Sequence, residues 1–427
     1  MRCKTAVALA VALLCVATAS VAFEAGAARV TITPPQDADF GHVSLGGFGA
    51  RMGAAYEGVH DDIYARALVL RQGDTTVALV ALDRLEVPRF LHEDVAARVE
   101  DLGIATEGLI ITASHTHSAP ENMARGGDIF PLAFGRYNKA LYDWTVGQIV
   151  QAMRQAVASL RPALLGSAQT RLDGMNRNRR GDKTVDADLT VVKVAEPDRD
   201  VIGCIVSFTA HPTILGASNL LISGDYPGHV ERAVEARLSD AVVALFCNGA
   251  EGDQSVNGAG KAFEGVAQYG DRLAQEVVAL LRTCEMDARP AFNVVSRTLT
   301  LPQRSISPAF EKSARDEYPV PPELAGRLLQ VLFPDEAFVQ VVRMGDAMLI
   351  TVPGEAVAAI GLELKARARL RGVPHPFIAG LANTYCGYIL TPEEYDEGGY
   401  EAAVSLYGRE FGPFLVRQLL PMIETAS

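Results

Sequence analysis

LIITASHTHSAP, residues 109–120, is a short apolar run that ends in two histidines. Its β-branched start reads as a buried strand, and the polar SHTHS puts reactive side chains at the strand's end, where open α/β sheets tend to place their chemistry. Residues i and i+2 of an extended segment point the same way, so His115 and His117 are expected to face one cavity. Two converging neutral imidazoles suit zinc. A pair of hydrogen-bonded core or turn histidines would look the same in sequence.

Strands and helices alternate outward from this stretch. TVALVAL (76–82) reads as a buried strand, 92–102 as an amphipathic helix and 137–160 as a long helix. Residues 189–194 and 201–209 read as paired strands, followed by a helix over 228–238, a strand over 241–247 and a glycine-rich loop over 248–260. A helix over 263–281 precedes an alternating, half-exposed strand over 292–301. The proline-rich stretch 302–322 reads as a surface crossing before a helix over 323–332, a hairpin over 338–350 and a helix over 356–369. A strand over 377–381 and helices over 400–406 and 413–423 complete the chain. With no repeat and no low-complexity linker, the expectation is one mixed α/β (α+β) domain over 23–427, its mixed sheets flanked by helices.

The 427 residues are 49% hydrophobic and 21% charged, which fits a globular chain with a real core, and the formal charge is −12. A nucleic-acid partner is not expected, because phosphate binding needs a basic face. Residues 1–22 join Arg2 and Lys4 to an apolar run and a small-x-small site, which predicts a secretory signal peptide cut near Phe23 and a secreted or periplasmic protein. An uncleaved anchor helix is the rival, though the run is short for a bilayer. Four of the six cysteines, Cys204, Cys247, Cys284 and Cys386, lie beyond that segment, widely scattered and without a CxxC pattern, so a cysteine zinc site is not expected.

Further polar motifs follow apolar strands. FTAHPT (208–213) delivers His211, and NGAEGDQSVN (248–257) offers Ser255 between flexible glycines as a nucleophile or hydrogen-bond partner. The latter is not a Gly-x-Ser-x-Gly elbow. In VPGE (352–355), Glu355 reads either as a first-turn acid favoured by a helix dipole or as a carboxylate ligand. ANTYCGYILTPEEYDEGGY (382–400) packs four tyrosines into a polar span.

In their order, GGFGAR (46–51), GVHDDIYARALVL (58–70), ASHTHSAP, NRNRR (176–180), FTAHP, SGDYPG (223–228), NGAEGDQSVN, VPGE and NTYCGYILTPEEYDEGGYEAAVSLYG (383–408) resemble the neutral, non-lysosomal ceramidases. The resemblance implies one catalytic zinc held by His115, His211, Glu355 and Tyr388. It also implies that His117, Arg179 (or Arg177), Ser255 and Tyr400 act beside the metal. The implied reaction is hydrolysis of an N-acyl amide, ceramide to sphingoid base and fatty acid, by attack of a zinc-bound water. The implied partner is a lipid or N-acyl amide substrate, with peripheral contact to membrane lipid. A zinc amidase for another N-acyl substrate and a metal-stabilised, non-catalytic binding protein are the alternatives. The chain departs from the family in reading Ser-Val-Asn at 255–257, in Ala119, and in a short interval between Ser255 and Glu355. It is also expected to lack the family's C-terminal immunoglobulin-like domain.

Overall fold

The computed structural model describes residues 22–121, 136–181, 183–198, 200–313, 330 and 333–427. Of the expected signal segment 1–22 all but residue 22, and of the helix expected over 323–332 all but residue 330, lie outside the described residues.

Three sheets share one apolar centre. The first runs Leu109–Ala113, Thr75–Leu82, Tyr64–Gln72, Phe23–Thr31 and Arg161–Pro162; the second runs Val243–Asn248, Val201–Phe208, Asp188–Ala195 and Leu164–Arg171. The third runs Phe292–Thr300, Glu336–Met344, Ala347–Thr351 and His375–Ala379. Leu79 and Ile110 of the first, Ile205 and Leu245 of the second, and Leu349 and Phe377 of the third meet in the common core. The outer face of each sheet is covered by helices: Arg89–Arg98 and Lys139–Ala158 on the first, Asp225–Leu238 and Ala262–Leu281 on the second, Ala358–Leu370 and Phe411–Ala426 on the third. Burial on both faces explains why Thr75–Leu82, Leu109–Ala113 and Val201–Phe208 read as mainly apolar runs, whereas Phe292–Thr300 at a sheet edge stays partly exposed and alternates. The architecture is the expected mixed α/β.

Several boundaries moved for local reasons. The first helix starts at Arg89, directly after Pro88, and ends at Arg98, with Glu100–Leu102 a separate 3-10 turn. The helix expected from residue 228 begins at Asp225, because Pro227 is tolerated in a first turn. Three long strands were not foreseen, Phe23–Thr31, Tyr64–Gln72 and Leu164–Arg171, nor were the short two- and three-residue strands. The first, FEAGAARVT, is rich in small residues because it lies against the helix Lys139–Ala158. A Cβ on Gly26 would stand 2.2 Å from the Ala156 carbonyl oxygen. The four cysteines expected to be scattered are all free thiols. Among the described residues no helix is long and apolar enough to cross a membrane.

The carboxyl ends of strands from all three sheets are hydrogen-bonded together. Gly380 N donates to Asn248 O at 2.9 Å, Asn383 N to Ile111 O at 2.8 Å, and Gly249 N to Phe208 O at 3.3 Å. Asn248 Nδ2 adds bonds to Ser114 O and Ala210 O, both 3.1 Å. This seam carries the polar motifs.

Candidate metal and catalytic site

His115 follows the strand that ends at Ala113, but the segment is not extended: its φ is 71°, in the left-handed region. His115 and His117 therefore do not converge as residues i and i+2 of an extended strand, although their Nε2 atoms still come within 3.4 Å. A left-handed histidine is strained by about 1–2 kcal/mol. It is held there by His115 N donating to Arg84 O at 2.9 Å and Nδ1 donating to Leu85 O at 2.7 Å. His117 lies under the 46–51 loop, its ring 4.6 Å from Phe48 and its carbonyl accepting from Arg51 Nη1. Gly47, at φ 89°, must be glycine, since a Cβ would fall 2.2 Å from His117 Nδ1.

His211 is fixed from the glycine-rich loop. Its N donates to Gln254 O at 2.9 Å, it bridges Ser255, and its Nδ1 donates to Glu251 O at 2.8 Å. Glu355 lies in a two-residue strand, Glu355–Ala356, paired in parallel register with Tyr388–Ile389, so Glu355 sits directly opposite Tyr388. The helix begins only at Ala358, which sets aside the first-turn acid reading. The strand Asn176–Asn178 pairs with Gln254–Val256, and Arg179 N donates to Asp253 O at 2.7 Å. Gly252 N then donates to Ala356 O at 2.9 Å, so one backbone network links residues far apart in sequence.

Glu355 Oε2 lies 3.3 Å from His115 Nε2 and 3.1 Å from His211 Nε2, and Tyr388 OH lies 3.2 Å from His211 Nε2. All four residues are buried. A carbonyl only accepts, so Nδ1 of both rings carries the proton and each Nε2 presents a lone pair. Two imidazole lone pairs and a carboxylate oxygen thus converge on one point, which calls for a cation. Burial opposes charge on His115, yet the Glu355 carboxylate outweighs it and raises the pKa. Burial and then Arg179 push His211 down to about 4. His117 is held well below its ordinary range by burial and by the two other histidines. Glu355 is held well below the usual carboxylate range: burial opposes this, but His115 and His211 prevail.

The donor set also fits a zinc ion. Ligand atoms about 2.1 Å from one tetrahedral ion stand about 3.4 Å apart, close to the separations here. Both nitrogen ligands are backed by backbone carbonyls, the usual way an imidazole ligand is oriented.

Arg179 donates from Nη2 to Tyr388 OH at 2.9 Å and Gly252 O at 2.8 Å, and from Nε to Glu401 Oε1 at 2.7 Å. Arg180 Nη1 donates to the other oxygen of Glu401 at 2.8 Å. Arg177 is exposed, so of the two candidate arginines it is Arg179 that reaches the site. The Tyr400 ring packs edge-on against Tyr388, with centroids 6.0 Å apart. Ser255 is half-buried, and its hydroxyl makes no hydrogen bond among the described residues.

Three side chains escaped sequence reasoning. Tyr385 OH donates to Glu355 Oε1 at 2.6 Å; it belongs to the tyrosine cluster but carries no local mark of its role. Glu401 holds both arginines. Glu251 is fully buried beside His115 and Glu355; its place between loop glycines was the one available signal.

A family model described as "Neutral/alkaline non-lysosomal ceramidase, N-terminal" matches residues 23–272 and 328–414. A neutral ceramidase of Mycobacterium tuberculosis is 26% identical over 82% of this chain and 70% of that protein. The Pseudomonas aeruginosa neutral ceramidase is 23% identical over 82% of this chain and 65% of that protein. Among solved structures, a "Ceramidase complexed with C2" superposes with a TM-score of 0.82 at 20% identity, over 95% of this chain and 75% of that one. The crystal structure of the Pseudomonas aeruginosa neutral ceramidase gives 0.79 at 21% identity, over 95% and 74%. At these identities the structural likeness establishes the fold.

Proposed function

The chain belongs to the neutral/alkaline non-lysosomal ceramidase family, and from that premise we propose that it is an exported, zinc-dependent hydrolase cleaving the amide bond of ceramide to a sphingoid base and a fatty acid. The observation that carries the reading is the convergence of His115 Nε2 and His211 Nε2 on Glu355 Oε2, at 3.3 and 3.1 Å, with Tyr388 OH beside His211 Nε2. These four side chains would hold the ion. When bound, zinc supplies Lewis acidity toward water and toward an amide carbonyl.

The other residues then divide the work. His117, a neutral ring whose Nε2 faces the same point, takes a proton from the attacking water and passes it to the leaving nitrogen. Arg179 fixes the Tyr388 phenol and, with Tyr400, lines the side on which an oxyanion develops. A serine nucleophile needs a base within hydrogen-bond reach. The Ser255 hydroxyl meets none among the described residues, which favours attack by water and leaves Ser255 a substrate contact.

The test uses the purified mature protein with ceramide and with water-soluble N-acyl amides, before and after chelation and zinc add-back, with metal content measured in parallel. Ceramide turnover lost on chelation and restored by zinc is the expected result. Turnover indifferent to chelators would remove zinc, and exclusive turnover of soluble amides would remove ceramide.

A further inference from the structure

We propose that Glu251 is a second carboxylate donor of this metal centre, an inference that rests on the zinc reading above. Two overlapping donor groups surround the site, His115–His117–His211 and His115–Glu251–Glu355, each with ligand atoms within 4.8 Å of one another. His115 Nδ1 is engaged with Leu85 O, so the ring has one free lone pair and binds one ion. The two groups therefore describe a single centre.

Glu251 is fully buried, and neither carboxylate oxygen has a hydrogen-bond partner among the described residues. A buried carboxylate without a donor is costly, and such groups are found paired or on metals. The same residue holds His211 in place through its backbone carbonyl, at 2.8 Å, while its side chain reaches the His115–Glu355 side. Gly380 makes the room: a Cβ there would stand 3.0 Å from Glu251 Oε2. Two carboxylates balance the charge of a dication, so the centre is neutral without ionisation of the Tyr388 phenol.

The experiment strips the full chain of metal, titrates zinc back against a chromophoric chelator, and records the visible spectrum of the cobalt-substituted protein. Wild type, Glu251→Gln and a Glu355→Gln reference are compared, with near-ultraviolet circular dichroism as the folding control. Folded Glu251→Gln is expected to bind zinc more weakly by at least the about 10- to 100-fold that losing a mere partner of a ligand costs, with an altered cobalt spectrum. Wild-type affinity and an unchanged cobalt spectrum in Glu251→Gln would overturn the assignment and leave the zinc reading standing. A wild-type chain that binds no zinc would overturn both. If Glu251→Gln does not fold, Glu251→Asp decides: a shifted cobalt spectrum supports the assignment, and an unshifted one overturns it.

Discussion

Replacing Tyr385 by Phe removes one oxygen and leaves the ring's packing intact. That oxygen donates to Glu355 Oε1 at 2.6 Å, on the side of the carboxylate away from the histidines. Burial, reinforced by Glu355, holds the phenol well above its ordinary pKa, so it is a donor throughout the neutral range. A hydrogen bond to a charged group is worth about 1.5–3 kcal/mol. At about 1.4 kcal/mol per decade, its loss predicts zinc binding weakened by about 10- to 100-fold, the range seen when partners of metal ligands are removed. The mechanism is geometric: without Tyr385, the Glu355 carboxylate rotates and Oε2 no longer stays on the point that His115 Nε2 and His211 Nε2 share. Competition with a chromophoric chelator measures the affinity directly, and near-ultraviolet circular dichroism verifies the fold. A folded Tyr385→Phe protein binding zinc within about twofold of wild type would refute the reasoning and make the phenol a packing contact.

Arg179→Lys keeps the charge but loses the planar fork shared by Tyr388, Gly252 and Glu401. It is expected to lower kcat/KM by about 100-fold with zinc content unchanged, and near-wild-type turnover would contradict that. Arg66, fully buried, is the cation for Asp83, Glu231 and Glu235. Arg66→Met should destabilise by about 3–5 kcal/mol in urea unfolding, and a loss under about 1 kcal/mol would deny the network that role. Burial pushes the Asp225 pKa up to about 7. The folded state therefore binds more protons than the unfolded one between about pH 4 and pH 7, and this group's contribution lowers stability as pH rises through that window. Asp225→Asn should flatten that slope in unfolding midpoints taken at pH 5 and 7.5, and an unchanged slope would refute it. Exported protein should begin at Phe23 on amino-terminal sequencing, and a retained Met1 would count against the signal peptide.

Much of the site could be read from residue types next to apolar runs. His115 and His211 stand just beyond buried strands because strand ends meet at the seam, and a histidine after an apolar run is a local pattern. Arg179 could not be told from Arg177 in NRNRR; the pairing of Asn176–Asn178 with Gln254–Val256 leaves one exposed and directs the other to Tyr388. Tyr385 carried no local mark as a site residue and Glu251 only its place between loop glycines, because their roles depend on what lies opposite them in space.

The alternation of helices and buried strands, and the supply of imidazole, carboxylate and phenol groups, are written in the order of residues, because periodicity and residue chemistry are local properties. Which of those groups share a point is set by long-range packing. Glu355 meets Tyr388 through a two-residue parallel pairing, and both histidines are turned by carbonyls from other segments. Even the left-handed turn at His115 is imposed by the neighbouring strand's exit. Such contacts follow from how three sheets pack on one core, which no short window of sequence contains.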